Sequence, residues 1–90
     1  MLRREHPTNR PVRVLRIDLP IREWGDCDLV PRGYQIRINR RLHAVVQEVA
    51  LFHEWAHALT WSVSGDHGAL FAEKFASLIR WYQAEGEYEG

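Results

Sequence analysis

Val49-Ala50-Leu51-Phe52-His53-Glu54-Trp55-Ala56-His57-Ala58-Leu59-Thr60 is the stretch on which the fold turns. At about 100° per residue, Leu42, Val46, Val49, His53, Ala56, His57 and Thr60 fall within one stripe, so both histidines lie on an apolar helix face. The opposite side is also largely apolar, with Ala44, Leu51, Trp55, Ala58 and Leu59. That pattern describes a central helix covered on two sides, by a sheet and by a second helix. The helix is predicted over about Arg40 to Ser62, with Asn39 as its N-cap.

Histidines at i and i+4 on a helix stand about 6 Å apart along the axis, so His53 and His57 can converge on one ion at about 2.0 to 2.1 Å. Two buried neutral imidazoles without a partner would be costly, which favours a shared ligand. Glu54 lies about 60° round from His57 and flanks that ion without occupying it, the placement of a general base. A zinc ion held by three protein ligands keeps a position for water, lowers its pKa toward about 7, and lets Glu54 take the proton as the water attacks a carbonyl. The third ligand must come from downstream, where His67 and Glu73 are the candidates. On a helical wheel His67 projects with Phe71, Phe75 and Leu78 toward the first helix, and Glu73 projects with Ser77 and Arg80 toward solvent. The wheel therefore favours His67.

Upstream, Leu15, Ile17 and Leu19 alternate with Arg16 and Asp18, the period-two pattern of a half-buried strand from Val12 to Leu19 that Pro20 closes. Residues 24–30 mix turn formers with apolar residues and suit a short strand or an irregular connection. Pro31-Arg32-Gly33 signals a turn, and Tyr34, Ile36 and Ile38 then alternate with Gln35, Arg37 and Asn39 as the cleanest strand. Residues 1–11 read as a loose leader. Downstream, Gly65 stops the first helix, Asp66 caps a second from about His67 to Ala84, and residues 85–90 form a flexible acidic tail. The second helix packs by Leu70, Phe71, Phe75, Leu78, Ile79 and Tyr82. Trp55, Trp61 and Trp81 are expected in the core, and Trp24 where the connection packs.

Ninety residues, 46% of them hydrophobic, make one domain spanning 1–90 and exclude a second core. A chain this short gains from a metal or a disulfide, and with Cys27 as the sole cysteine only the metal is available. Cys27 reads as a small buried apolar residue rather than an inhibitory thiolate ligand. A lone cysteine fits a reducing compartment, and the first residues carry no apolar run of a secretory signal, so a cytoplasmic protein is expected. No apolar stretch approaches the roughly 20 residues of a membrane helix. Charge is balanced overall, yet residues 1–41 hold ten Arg against five acids, and residues 42–90 hold two basic residues against seven acids. Those arginines alternate with acids and form no dense patch, which gives weak support to a nucleic-acid partner.

The run Ile36-Arg37-Ile38-Asn39, the helix carrying His53-Glu54-Trp55-Ala56-His57-Ala58, and Gly65-Asp66-His67-Gly68-Ala69-Leu70-Phe71 together resemble the SprT-like branch of minimal zincin metallopeptidases, small enzymes of phages and bacteria. The likeness covers about residues 33–76, and its most specific segment is His67-Gly68-x-x-Phe71. It implies zinc bound by His53, His57 and His67, with Glu54 as general base. It also implies a peptide substrate added to an edge strand, taken as Tyr34 to Ile38. The cysteine zinc ribbon of longer SprT-like proteins is absent from the sequence. Tyr34, His43 and Tyr82 are given no role in binding an oxyanion.

The expectation is thus an α+β, zincin-like domain: a small, mostly antiparallel sheet on a His-Glu-x-x-His helix, with a second helix after it, acting as a zinc-dependent metallopeptidase. The alternatives are a zinc-stapled binding module without hydrolysis, separable by Glu54→Gln, and a nucleic-acid-associated protein using the Arg-rich half.

Overall fold

The computed structural model describes residues 2–61 and 68–86. The order is α1 (Leu2–Glu5), β1 (Val12–Ile17), β2 (Gly25–Val30), β3 (Gly33–Asn39), α2 (Ala44–Leu59) and α3 (Ala69–Gly86). The α+β class agrees with the sequence reading, but several boundaries and the sheet's pairing differ.

β3 is the central strand, in the order β1-β3-β2. It runs antiparallel to β2, with Val30 opposite Gly33 and Cys27 opposite Ile36, and parallel to β1, with Val12 beside Tyr34 and Val14 beside Ile36. The sheet is therefore mixed, not mostly antiparallel, and the strand expected at an edge has neighbours on both sides. The two-residue turn at Pro31-Arg32 explains the antiparallel half. Gly33 leaves it at φ +146°, where a Cβ would run into the carbonyl oxygen of Pro11, so glycine is required there. The parallel half follows from the chain leaving β1, crossing beyond the end of β3 in residues 18–24, and returning along the far side.

That crossing is why Asn39 is buried. Its side-chain amide nitrogen lies 3.2, 3.1 and 2.8 Å from the carbonyl oxygens of Leu19, Pro20 and Glu23, and its Oδ1 accepts from the backbone N–H of Leu19 at 3.3 Å and of Arg41 at 3.0 Å. With Asn39 committed to the crossing loop, the helix begins at Ala44, not Arg40. His43 caps it instead, accepting from the N–H of Val45 at 3.3 Å. α2 ends at Leu59, where the Thr60 hydroxyl donates back to the Ala56 carbonyl at 2.9 Å.

α2 packs against β2 and β3 on one side and α3 on the other, the double coverage its two apolar faces predict. The core joins Ile36 and Ile38 with Ala50, Phe52, Trp55, Ala56, Phe71 and Leu78. Glu73 and Arg80 are exposed as expected, and Ser77 is half-buried. The opposite face of the sheet has no helix over it among the described residues; there Asp26 and Arg37, register partners, form an ion pair with the guanidinium Nε 2.9 Å from Oδ1.

The leader is more structured than expected. A single turn, α1, is followed by His6, whose carbonyl accepts the Trp55 indole N–H at 2.9 Å and whose ring meets Trp81 edge-on at 5.4 Å. The first strand stops at Ile17 rather than Leu19, and α3 runs from Ala69 through Gly86 rather than from His67 to Ala84. The supposed tail thus begins inside the helix, and residues 87–90 lie outside the described residues. No described helix is long and apolar enough to cross a membrane.

Candidate metal centre

His53, Glu54 and His57 each bring one donor atom to a group whose members all lie within 4.8 Å of one another. The helix alone produces this closeness, because i and i+4 stack on one face and Glu54 is the neighbour of the first histidine. The imidazole centroids are 4.9 Å apart at 76°, and Nδ1 of His53 is 3.1 Å from Oε2 of Glu54. Glu54 is 7% exposed although it is ionisable, and a carboxylate kept so far from water calls for compensation by a proton donor or a cation. Two imidazoles and a carboxylate form a donor set suited to zinc, so these residues fit a divalent metal ion.

α3 supplies an aromatic cover. Phe71 lies 4.4 Å from the His57 ring and 5.2 Å from that of His53, and Phe75 meets His53 edge-on at 5.5 Å. These rings lower the local dielectric beside the imidazoles, which strengthens charge interactions there. The sequence reading placed Phe71 and Phe75 on the packing stripe but did not foresee that their partners are the two histidines.

His67, the expected third ligand, lies outside the described residues. Glu73, its rival, is exposed on α3 and is not part of the group. Tyr34 is buried in the core with its hydroxyl donating to Asn9 at 2.8 Å, and His43 is spent on its cap. Cys27 is half-buried on β2, and burial first, then the nearby Glu54 charge, push its thiol up to about 12. A thiol in that condition is neutral near pH 7 and no ready metal ligand.

Beside the donor group a cleft of about 570 Å³ opens, walled by Arg22, Trp24 and Gly25 on one side and by Val49, Ala50, His53, Glu54 and Phe75 on the other. Its size lies within the roughly 300 to 1,000 Å³ of small-ligand sites. Gly25 is dictated by packing, since a Cβ there would strike the carbonyl oxygen of Arg37. Trp24 stands 50% exposed on the cleft and Trp61 38% exposed, which corrects the expectation that both are packing residues; Trp55 is buried and Trp81 half-buried as foreseen. A tryptophan in a turn-rich connection, off any amphipathic element, was the available signal. Of the ten arginines before residue 42, Arg16, Arg37 and Arg40 are paired with Glu48, Asp26 and Asp18.

Comparison of the chain with protein-family models, with curated proteins and with solved structures finds no match.

Proposed function

We propose that the chain is a zinc-dependent metallopeptidase in which His53 and His57 are ligands and Glu54 is the general base. The observation that carries this reading is the meeting of two imidazoles and a buried carboxylate within 4.8 Å, two of the three residues, His53 and Glu54, lining an open cleft. A bound zinc ion would polarise a substrate carbonyl and make water more acidic. Glu54 would accept the proton of the attacking water and pass it to the departing amine, and its burial keeps that proton from bulk solvent. His67 is the sequence's choice for a third imidazole. Kinship with the SprT-like minimal zincins is part of the same proposal, supported by the motif helix, the helix after it, and an antiparallel edge strand alongside.

That strand is β2. It has β3 on one side and no strand on the other among the described residues, and its first residue, Gly25, lines the cleft. An extended peptide added to the open edge of β2 would run past the donor group. β2 thus takes the place that the sequence reading gave to Tyr34 to Ile38.

A second reading has an observation of its own. Glu54 lies 3.1 Å from His53 and belongs to the donor group, so it can itself be a metal ligand, in a staple that performs no hydrolysis. Glu54→Gln separates the two. In the peptidase reading it keeps stoichiometric zinc and loses peptide cleavage; in the staple reading it loses zinc. Metal analysis of the purified wild type, Glu54→Gln and His67→Ala, with cleavage of an unstructured protein such as casein followed by mass spectrometry, decides between them. Wild-type protein that takes up no zinc would end both.

A further inference from the structure

We infer that the cleft beside His53 and Glu54 selects extended peptides that carry a bulky apolar side chain with an acidic residue two positions from it. The inference rests on the peptidase reading for its setting, but its argument uses different residues. From the crossing loop the cleft is lined by Arg22 and by Trp24, which is 50% exposed. The facing wall is Val49, Ala50 and Phe75. A large indole left half in water over an apolar wall gains most when an apolar group is inserted between them.

Charge sets the second half of the preference. Arg22 lines the same cleft and forms no ion pair among the described residues, whereas Arg16, Arg37 and Arg40 have theirs. A guanidinium with open donors beside an apolar slot is complementary to a carboxylate. The open edge of β2 supplies the backbone template. Side chains of an added strand alternate between faces, so residues two apart point to the same side. One can enter the slot while the other meets Arg22.

Two sets of matched, end-labelled peptides test this, with a central Phe in one and Ala in the other, and with Glu, Gln or Lys placed two residues away on each side. Binding is read by fluorescence anisotropy on the full chain stripped of metal, which cannot hydrolyse, and cleavage is read by mass spectrometry on the zinc-loaded chain. Wild type should bind the Phe/Glu peptide about tenfold more tightly than the Phe/Lys peptide, a preference that shrinks as salt is raised. Arg22→Glu should reverse that order, and Trp24→Ala should abolish the advantage of Phe over Ala. Arg22 is exposed, so its variants are expected to fold; if Trp24→Ala does not, Trp24→Leu replaces it. Equal binding of Glu- and Lys-flanked peptides, or a preference that Arg22→Glu leaves in place, overturns the inference. Selective binding without cleavage leaves the cleft assignment standing and removes the peptidase reading; cleavage without flank preference does the reverse.

Discussion

The backbone N–H of Asn39 donates to the carbonyl oxygen of Trp24 at 2.9 Å, so the last residue of the central strand holds in place the residue that walls the cleft. The side chain of Asn39, fully buried, fixes the rest of the same loop through Leu19, Pro20 and Glu23. Asn39→Ala takes the side-chain acceptor from the N–H groups of Leu19 and Arg41 and the side-chain donor from the carbonyl of Glu23, and is expected to lower stability by about 2 to 4 kcal/mol in urea denaturation. Asn39→Asp is nearly isosteric yet should be worse at pH 7, because a carboxylate oxygen then faces carbonyl oxygens. Its folded-state pKa would be raised, so part of its stability should return as the pH falls and the carboxyl is protonated. An aspartate variant as stable as wild type at pH 7 would contradict the assigned amide orientation.

Metal binding should be visible as thermal stabilisation. Zinc at a hundredfold excess over its Kd contributes about 2.7 kcal/mol, which raises the Tm of a domain this small by roughly 10 °C or more. His53→Ala and His57→Ala should abolish the rise, and a chelator should reverse it in the wild type. A Tm insensitive to zinc would count against a metal centre at this position.

Cys27 should be a poor nucleophile. With its thiol pushed up to about 12 by burial and by the Glu54 charge, about one molecule in ten thousand carries the thiolate at pH 8. Ellman's reagent should therefore react slowly with the folded chain and at the rate of a free thiol once the chain is unfolded in guanidinium. Rapid reaction of folded protein at pH 8 would show that β2 does not shield this residue.

His6 links acid to stability. Burial holds its imidazole below the ordinary value, with the Glu5 charge opposing this and that of Lys74 adding to it. The unfolded chain thus takes up this proton first as the pH falls, so the contribution is nil above about pH 7 and destabilising as the pH drops past about 6.5. His6→Asn should narrow the gap between urea midpoints measured at pH 7.5 and pH 5.5. An unchanged gap would assign the acid sensitivity to other groups.

What was legible in the sequence was local. The alternation of Tyr34, Ile36 and Ile38 identifies β3, and the i, i+4 spacing of His53 and His57 fixes their approach, because both signals lie within one element. Strand order is not local. Nothing in residues 18–24 says that the chain crosses beyond the end of β3 before returning, and short connections favoured an antiparallel reading. The same crossing misplaced the helix start, since Asn39 is a good cap by type and was already committed to Leu19, Pro20 and Glu23. The single turn at Leu2–Glu5 is too short to leave a periodic trace, and the residue after it, His6, is tied by its carbonyl to the indole of Trp55, far along the chain. The place of Trp24 on the cleft was hidden for a similar reason: most of the other lining residues come from α2 and α3.

The three donors on α2 owe their mutual spacing to helix geometry, and the wall across from them belongs to a loop anchored by β3. In the proposed reading, reactivity and choice of guest are therefore carried by separable parts. Exchanging residues 21–24 for another sequence, with Asn39 left in place, should retune which peptides are admitted without disturbing how a cation is gripped. If the proposed peptidase activity is found, a scaffold of ninety residues arranged this way offers a chassis for engineering selectivity independently of turnover.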